Sequence, residues 1–248
     1  MHAPIVHTAP DPDALAVRAA ARVTALVRAA LDRRHACDLA LAGGSTPARL
    51  YARLASHHAA DTEWSRVRFW FGDERLVPPD HPNRNERAAR AALLTPLRVP
   101  EHHVLSVRDD LPPDLAAREY EQRMTNLGLR ARGFDLVLLG MGADGHTLSL
   151  FPGSPALGEA ARLVAHAVAP PSSPVKDRVT LTLPAVADAH AAVFLVTGSD
   201  KSDTFRRVLN EARRDPPPAD SLPASRVRAR TPVEWFIDEA AAGSPPVG

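Results

Sequence analysis

His146 closes the stretch GMGADGH (140–146), which follows the most continuous apolar run in the chain, FDLVLLG (134–140). Histidine is the side chain best tuned for proton transfer near neutral pH, so one at the end of a glycine-rich turn suits acid–base chemistry on a bound ligand. The segment GDER (72–75) follows the apolar VRFWF and brings Asp73, which could orient a histidine, and Arg75, which could grip a phosphate through two hydrogen bonds. The segment GGSTP (43–47) places glycines between a strand and a helix start, a geometry that points backbone N–H groups at an anion, and Ser45 and Thr46 add hydroxyl donors. Lys201 follows AAVFLVTGSD and opens a helix, again at the carboxyl end of a strand. Together these groups suit a small phosphorylated ligand. Taken singly, each also fits an ordinary structural role: a capped tight turn, an exposed charged turn, a surface histidine, a solvated lysine.

GMGADG also matches G-x-G-x-x-G, the dinucleotide fingerprint, which needs a long helix after the third glycine and an acidic residue at the end of the next strand. Here HTLSLFPGSPALG follows, and Pro152, Gly153 and Pro155 stop any helix early. Glu159 lies at a suitable distance but within LGEAAR, not at a strand end. GGSTP lacks the Gly-Lys-Ser/Thr ending of a nucleotide P-loop, so it has no lysine to reach the phosphates.

The elements that position these groups alternate. Residues 11–34 are Ala-rich, with Leu15, Ala19, Val23, Leu26, Val27 and Leu31 near helical spacing and an Asp-rich start, which predicts a helix. DLALA (38–42) predicts a strand, with Thr46 as cap and Pro47 as first residue of the next helix. VRFWF predicts another strand, and Asn85 or Asn83 caps the helix after it. A helix at about 113–127, the strand FDLVLLG, further strands in LVAHAV, RVTLTL and AAVFLVTG, a helix near 200–213 and a last strand around VEWFID complete the chain. This order predicts one α/β domain over 1–248, core about 10–242, with a parallel or mixed sheet flanked by helices. The Pro-rich stretches 169–177 and 215–225 are expected to be surface loops of that domain.

Composition excludes several function classes. A formal net charge of +1, with basic and acidic residues interspersed, gives no footprint for nucleic acid. No apolar run approaches the ~18 residues of a membrane span, and MHAPIVHTAP has no basic stretch followed by an apolar one, so an unexported protein is expected. The single cysteine, Cys37, fits a cytoplasmic protein and rules out an internal disulfide. The doublets His57–His58 and His102–His103 lack acidic or cysteine partners at ligand spacing, so no metal site is expected.

The segments LAGGSTPARLY (41–51), FWFGDERLVPPDHPNRNERAARAALL (69–94), FDLVLLGMGADGHTLSLFPG (134–153), DRVTLTLPAV (177–186), VTGSDK (196–201) and VEWFIDEAAA (233–242) together resemble the 6-phosphogluconolactonase family, in family order over nearly the whole chain. The related glucosamine-6-phosphate deaminases share a GGST-like loop, an Asp-Glu pair and a DGH element. They carry an FNEPG-type segment where this chain has SLFPG (149–153), and a tyrosine where it has Arg75. Arg84 departs from the lactonase pattern, in which serine is frequent before Asn85.

The resemblance implies a Rossmann-like fold of the sugar-phosphate isomerase type and hydrolysis of 6-phospho-D-glucono-1,5-lactone with neither metal nor organic cofactor. It implies His146 as general base toward water, oriented by Asp73, with Asp144 the weaker choice because it sits only two residues away. Arg75, Arg178 and Lys201, with Gly43, Gly44, Ser45, Thr46 and Asn85, are the implied substrate and phosphate contacts. The expected partner is the small-molecule substrate, with no nucleic acid, membrane or obligate protein partner. Two other activities fit the same loops: a deaminase or isomerase acting on an amino-sugar phosphate, and a sugar-phosphate sensor without catalysis.

Overall fold

The computed structural model describes residues 2–214, 217–218 and 220–243; Asp215, Pro216 and Ala219, within the Pro-rich stretch 215–225, and the last residues of the expected domain lie outside the described residues. In chain order, β1 (Ile5–Ala9) leads into α1 (Pro12–Arg34), β2 (Cys37–Leu41) into α2 (Ser45–His57), and β3 (Val67–Phe71) into the short β4 (Asp73–Arg75) and α3 (Asn85–Ala89). A π-helical turn over Arg90–Leu94 extends α3, and β5 (Val104–Leu105), α4 (Pro113–Asn126), α5 (Leu129–Arg132) and β6 (Leu136–Gly140) follow. β7 (Val164–Val168), β8 (Asp177–Leu181), α6 (Leu183–Ala187), β9 (Ala191–Val196), α7 (Ser202–Ala212), β10 (Glu234–Asp238) and α8 (Glu239–Ala242) complete the order.

Seven strands form one parallel sheet in the order β1-β10-β9-β6-β2-β3-β5. The neighbouring strands β9 and β6 at its centre are apolar throughout because both faces are covered, and the two-residue alternation divides them between two cores. Trp70 packs with Tyr120, Phe134 and Phe194 on one face, while Leu39, Phe69 and Phe71 pack with Leu15, Val23 and Leu50 on the other. α1 begins where its acidic start requires, with Asp11 accepting hydrogen bonds from the N–H groups of Asp13 (2.9 Å) and Ala14 (2.8 Å). No helix among the described residues is long and apolar enough to cross a membrane.

Three local expectations are corrected. LVAHAV and RVTLTL do not join the main sheet; with GDER they build a second, antiparallel sheet in the order β4-β8-β7. Gly72 makes the transfer, donating its N–H to Leu41 O at the end of β2 and accepting from Leu181 N at the end of β8, both at 2.8 Å. The α2 cap is Gly44, not Thr46, and Pro47 stands third in the helix rather than first. Neither Asn83 nor Asn85 caps α3: the Glu74 carboxylate reaches in from β4 and accepts from Asn85 N (2.8 Å) and Glu86 N (2.7 Å). Its two oxygens there satisfy free N–H groups of the helix start.

Candidate active site

The carboxyl ends of β2, β6 and β9 open beside β4 and β8 onto a cleft of about 640 Å³. Adjacent strands whose loops diverge leave such a crevice in an open parallel sheet. Gly43, Gly44, Ser45, Thr46, Asp73, Arg75, Asp144, His146, Arg178 and Lys201 all line it. Asn85 does not.

At the end of β2, Gly44 takes φ 105°, a left-handed conformation that glycine adopts at little cost, and α2 starts with no side-chain cap. The N–H groups of its first turn therefore have no intrahelical partners. Thr46 Oγ1 lies 2.7 Å from Thr197 Oγ1, joining this turn to the end of β9. Asn85 sits behind it. A Cβ on Gly43 would fall 2.0 Å from Asn85 Oδ1, so only glycine lets the loop lie this close.

In the pairing of β4 with β8, Arg75 is opposite Arg178. Arg75 donates through Nη1 to Asn83 O (2.6 Å), and Arg178 through Nη2 to Ser173 Oγ (2.7 Å) and Val175 O (3.1 Å). The Nε atoms of both are buried without a hydrogen-bond partner. Burial, and next the charge of Arg75, hold the Arg178 guanidinium below its usual range. Two opposed guanidinium groups at one cleft wall, neither in an ion pair among the described residues, have the donors to hold an anion. Lys201, after β9, donates to Thr197 O (3.0 Å) and pairs with Asp200 (3.1 Å).

The carboxylate that holds His146 is Asp144 and not Asp73, reversing the expected order. Asp144 Oδ1 accepts from His146 N (3.1 Å) and lies 2.5 Å from His146 Nδ1. Gly145 at φ 80° folds the chain back so that a residue two positions away reaches the ring. A carboxylate can only accept, so this pairing places a proton on Nδ1, and among the described residues Nε2 has no hydrogen-bond partner. The hydrogen bond from His146 keeps the Asp144 carboxyl below its ordinary value despite partial burial. The ring packs on Phe151, centroids 4.8 Å apart, and is about a third exposed.

Asp73 instead accepts from Ser149 Oγ (2.7 Å) and from Asn85 Nδ2, through Oδ1 at 3.3 Å and its carbonyl at 2.9 Å. Leu148, at φ 56°, makes the turn that brings Ser149 under it. Arg84, the departure from the family pattern, is buried and donates to Val77 O (2.8 Å), Val107 O (2.7 Å) and Glu86 (2.9 Å), fixing the loop that carries Asn85. Among the described residues no three His, Cys, Asp or Glu side chains are grouped to hold a metal ion.

Ser149, Phe151, Ser173 and Thr197 line the cleft without having been singled out in the sequence. SLFPG carried the signal for the first two. Ser173 had none, because the 169–177 stretch, expected as a plain surface loop, borders the cleft only through the antiparallel pairing that places Arg178.

The family model described as glucosamine-6-phosphate isomerases/6-phosphogluconolactonase matches residues 10–235. A 6-phosphogluconolactonase of Rattus norvegicus is 39% identical over 209 residues, covering 82% of this chain and 79% of the relative. One of Mycobacterium tuberculosis is 38% identical over 245 residues, covering 96% of each. The solved 6-phosphogluconolactonase of Trypanosoma cruzi superposes with a TM-score of 0.82 at 32% identity, over 96% of each chain. The motifs, the sheet order and these matches agree: the chain belongs to the glucosamine-6-phosphate isomerase/6-phosphogluconolactonase family.

Proposed function

We propose that the chain hydrolyses 6-phospho-D-glucono-1,5-lactone to 6-phospho-D-gluconate, the lactonase step of the oxidative pentose phosphate pathway. The observation that carries this reading is one cleft holding both a carboxylate-paired histidine and two opposed guanidinium groups that, among the described residues, form no ion pair. His146 Nε2 takes a proton from water as its oxygen attacks the C1 carbonyl, and the imidazolium is stabilised by Asp144. The tetrahedral oxyanion collapses, the C1–ring-oxygen bond breaks, and the imidazolium returns the proton to the leaving ring oxygen. The phosphate lies against Arg75 and Arg178, while Lys201 and the N–H groups of Gly44, Ser45 and Thr46 supply further positive potential. Asp73, held by Ser149 and Asn85, presents a carboxylate to the sugar hydroxyls. The enzyme acts as one unit over its core, in the cytoplasm and without an obligate protein partner; the buried, unpaired Cys37 suits a reducing compartment.

The test is acid release from freshly generated lactone, measured against the spontaneous rate. Acceleration is expected. Ammonia release from glucosamine 6-phosphate would instead support the deaminase reading, and binding of 6-phosphogluconate without acceleration would support a sensor.

A further inference from the structure

The turn that carries His146 is built from residues 142–146 and closed on itself by Gly142 N to His146 O and Gly145 N to Gly142 O, both 3.0 Å. Two internal bonds fix its shape but not its place in the cleft. Its anchors come from α7 and the segment after it. Thr204 Oγ1 donates to Ala143 O at 2.6 Å, from the first turn of α7. At the other end of that helix, Glu211 Oε2 accepts from Leu222 N (2.8 Å) and Ser225 Oγ (2.9 Å). The segment so held donates Ala224 N to Gly145 O (3.0 Å) and packs Leu222 on Gly145 so closely that a Cβ there would meet Leu222 Cδ1 at 2.8 Å. α7 thus brackets the histidine turn at both ends. Lys201, which lines the cleft, stands immediately before α7 and three residues before Thr204.

We propose that Thr204 is a positioning residue for His146: its hydroxyl fixes the 142–146 turn against α7, so that the element presenting Lys201 to the ligand also sets where His146 Nε2 stands. The inference rests on the lactonase reading for its rate effect and on geometry alone for its structural effect. Thr204 touches the carbonyl of the turn and not the reacting atoms. Losing its hydroxyl therefore lowers turnover while leaving the phosphate contacts in place.

The experiment compares the full chain with Thr204→Val, which keeps the shape and removes the donor, and with Thr204→Ser, which keeps the donor. Lactone kinetics are read beside the downfield proton NMR signal of His146 Nδ1–H. In Thr204→Val, kcat is expected to fall by ~10–100-fold, as sub-ångström misplacement of a proton acceptor costs, with KM unchanged. The Nδ1–H signal should broaden or shift, and Thr204→Ser should restore both. If Thr204→Val is too unstable, Thr204→Ala carries the same comparison. Wild-type kcat with an unmoved signal in the donor-less variant would overturn the proposal, as would equal losses in the Val and Ser variants. If the wild-type chain fails to hydrolyse the lactone, the functional reading falls, and the NMR comparison still decides whether Thr204 holds the turn.

Discussion

Arg75 and Arg178 stand opposite one another on β4 and β8, and among the described residues neither is paired with a carboxylate. Directly opposed like charges destabilise a strand pair, and this pair is partly buried, so the arrangement costs folding stability until an anion arrives. Arg178→Met is therefore expected to leave the ligand-free melting temperature equal or higher. It should also abolish most of the thermal stabilisation by 6-phosphogluconate, which for the wild type at 100 times Kd is ~2.7 kcal/mol. Melting curves with and without the product decide it. An undiminished ligand-induced rise in the variant would remove Arg178 from the phosphate site.

His146 and Asp144 separate chemistry from binding. His146→Ala should lower kcat by ~10²–10⁴, the usual worth of a positioned general base, with the affinity for 6-phosphogluconate retained. The same change deletes the hydrogen bond that chiefly depresses the Asp144 carboxyl, so its titration should move up toward the ordinary value of ~3.9. Carbon NMR of the Asp144 carboxyl checks the second outcome independently of activity. A variant with full turnover would end the general-base assignment.

Gly142 tests whether the ring needs its observed seat. Its backbone is not left-handed, so alanine there is not strained by φ, but the new Cβ would lie 2.2 Å from the His146 ring and 2.7 Å from Asp144 Oδ1. Gly142→Ala must push the imidazole off its carboxylate, and turnover is expected to drop by ~100-fold. The fold should survive, because the displaced ring is partly exposed. Circular dichroism beside lactone kinetics separates the two. Normal kinetics would mean that the ring works from another rotamer.

Much of this site was legible because parallel strands covered on both faces write themselves as apolar runs, and their carboxyl ends are where ligands gather. GGST, GDER, GMGADGH and Lys201 each follow such a run, and all border the cleft. The second sheet was not legible: β4 has three residues, and its partner β8 lies about a hundred positions later, a pairing that no local pattern encodes. The His146–Asp144 pairing is hidden for a related reason: two positions of separation read as too short a reach, whereas the left-handed Gly145 turn makes that reach easy. Asn85 was placed in the right neighbourhood with the wrong task, since its contacts with Asp73 and Gly43 depend on α3 docking behind β4.

Glu74 makes stability depend on pH. The side chain is fully buried, and burial pushes its carboxyl from 4.5 up to about 7, against the opposing hydrogen bonds from Asn85 N, Glu86 N and Arg75 N. Because the folded value exceeds the unfolded one, the native state holds this proton more tightly. The contribution to stability is full below about 4.5 and is lost as pH rises through about 7. Glu74→Gln removes the titration but offers one acceptor oxygen where the carboxylate offered two, leaving an N–H of the α3 start or of Arg75 unsatisfied, at ~1–3 kcal/mol. Urea unfolding of both proteins between about pH 5 and about pH 8 is the measurement. The wild type should gain stability relative to the variant as pH falls across that window, because only the wild type takes up the proton. Parallel pH profiles would show that the three N–H donors keep Glu74 ionised throughout, and that its task is solely to hold α3, and through it Asn85, beneath the cleft.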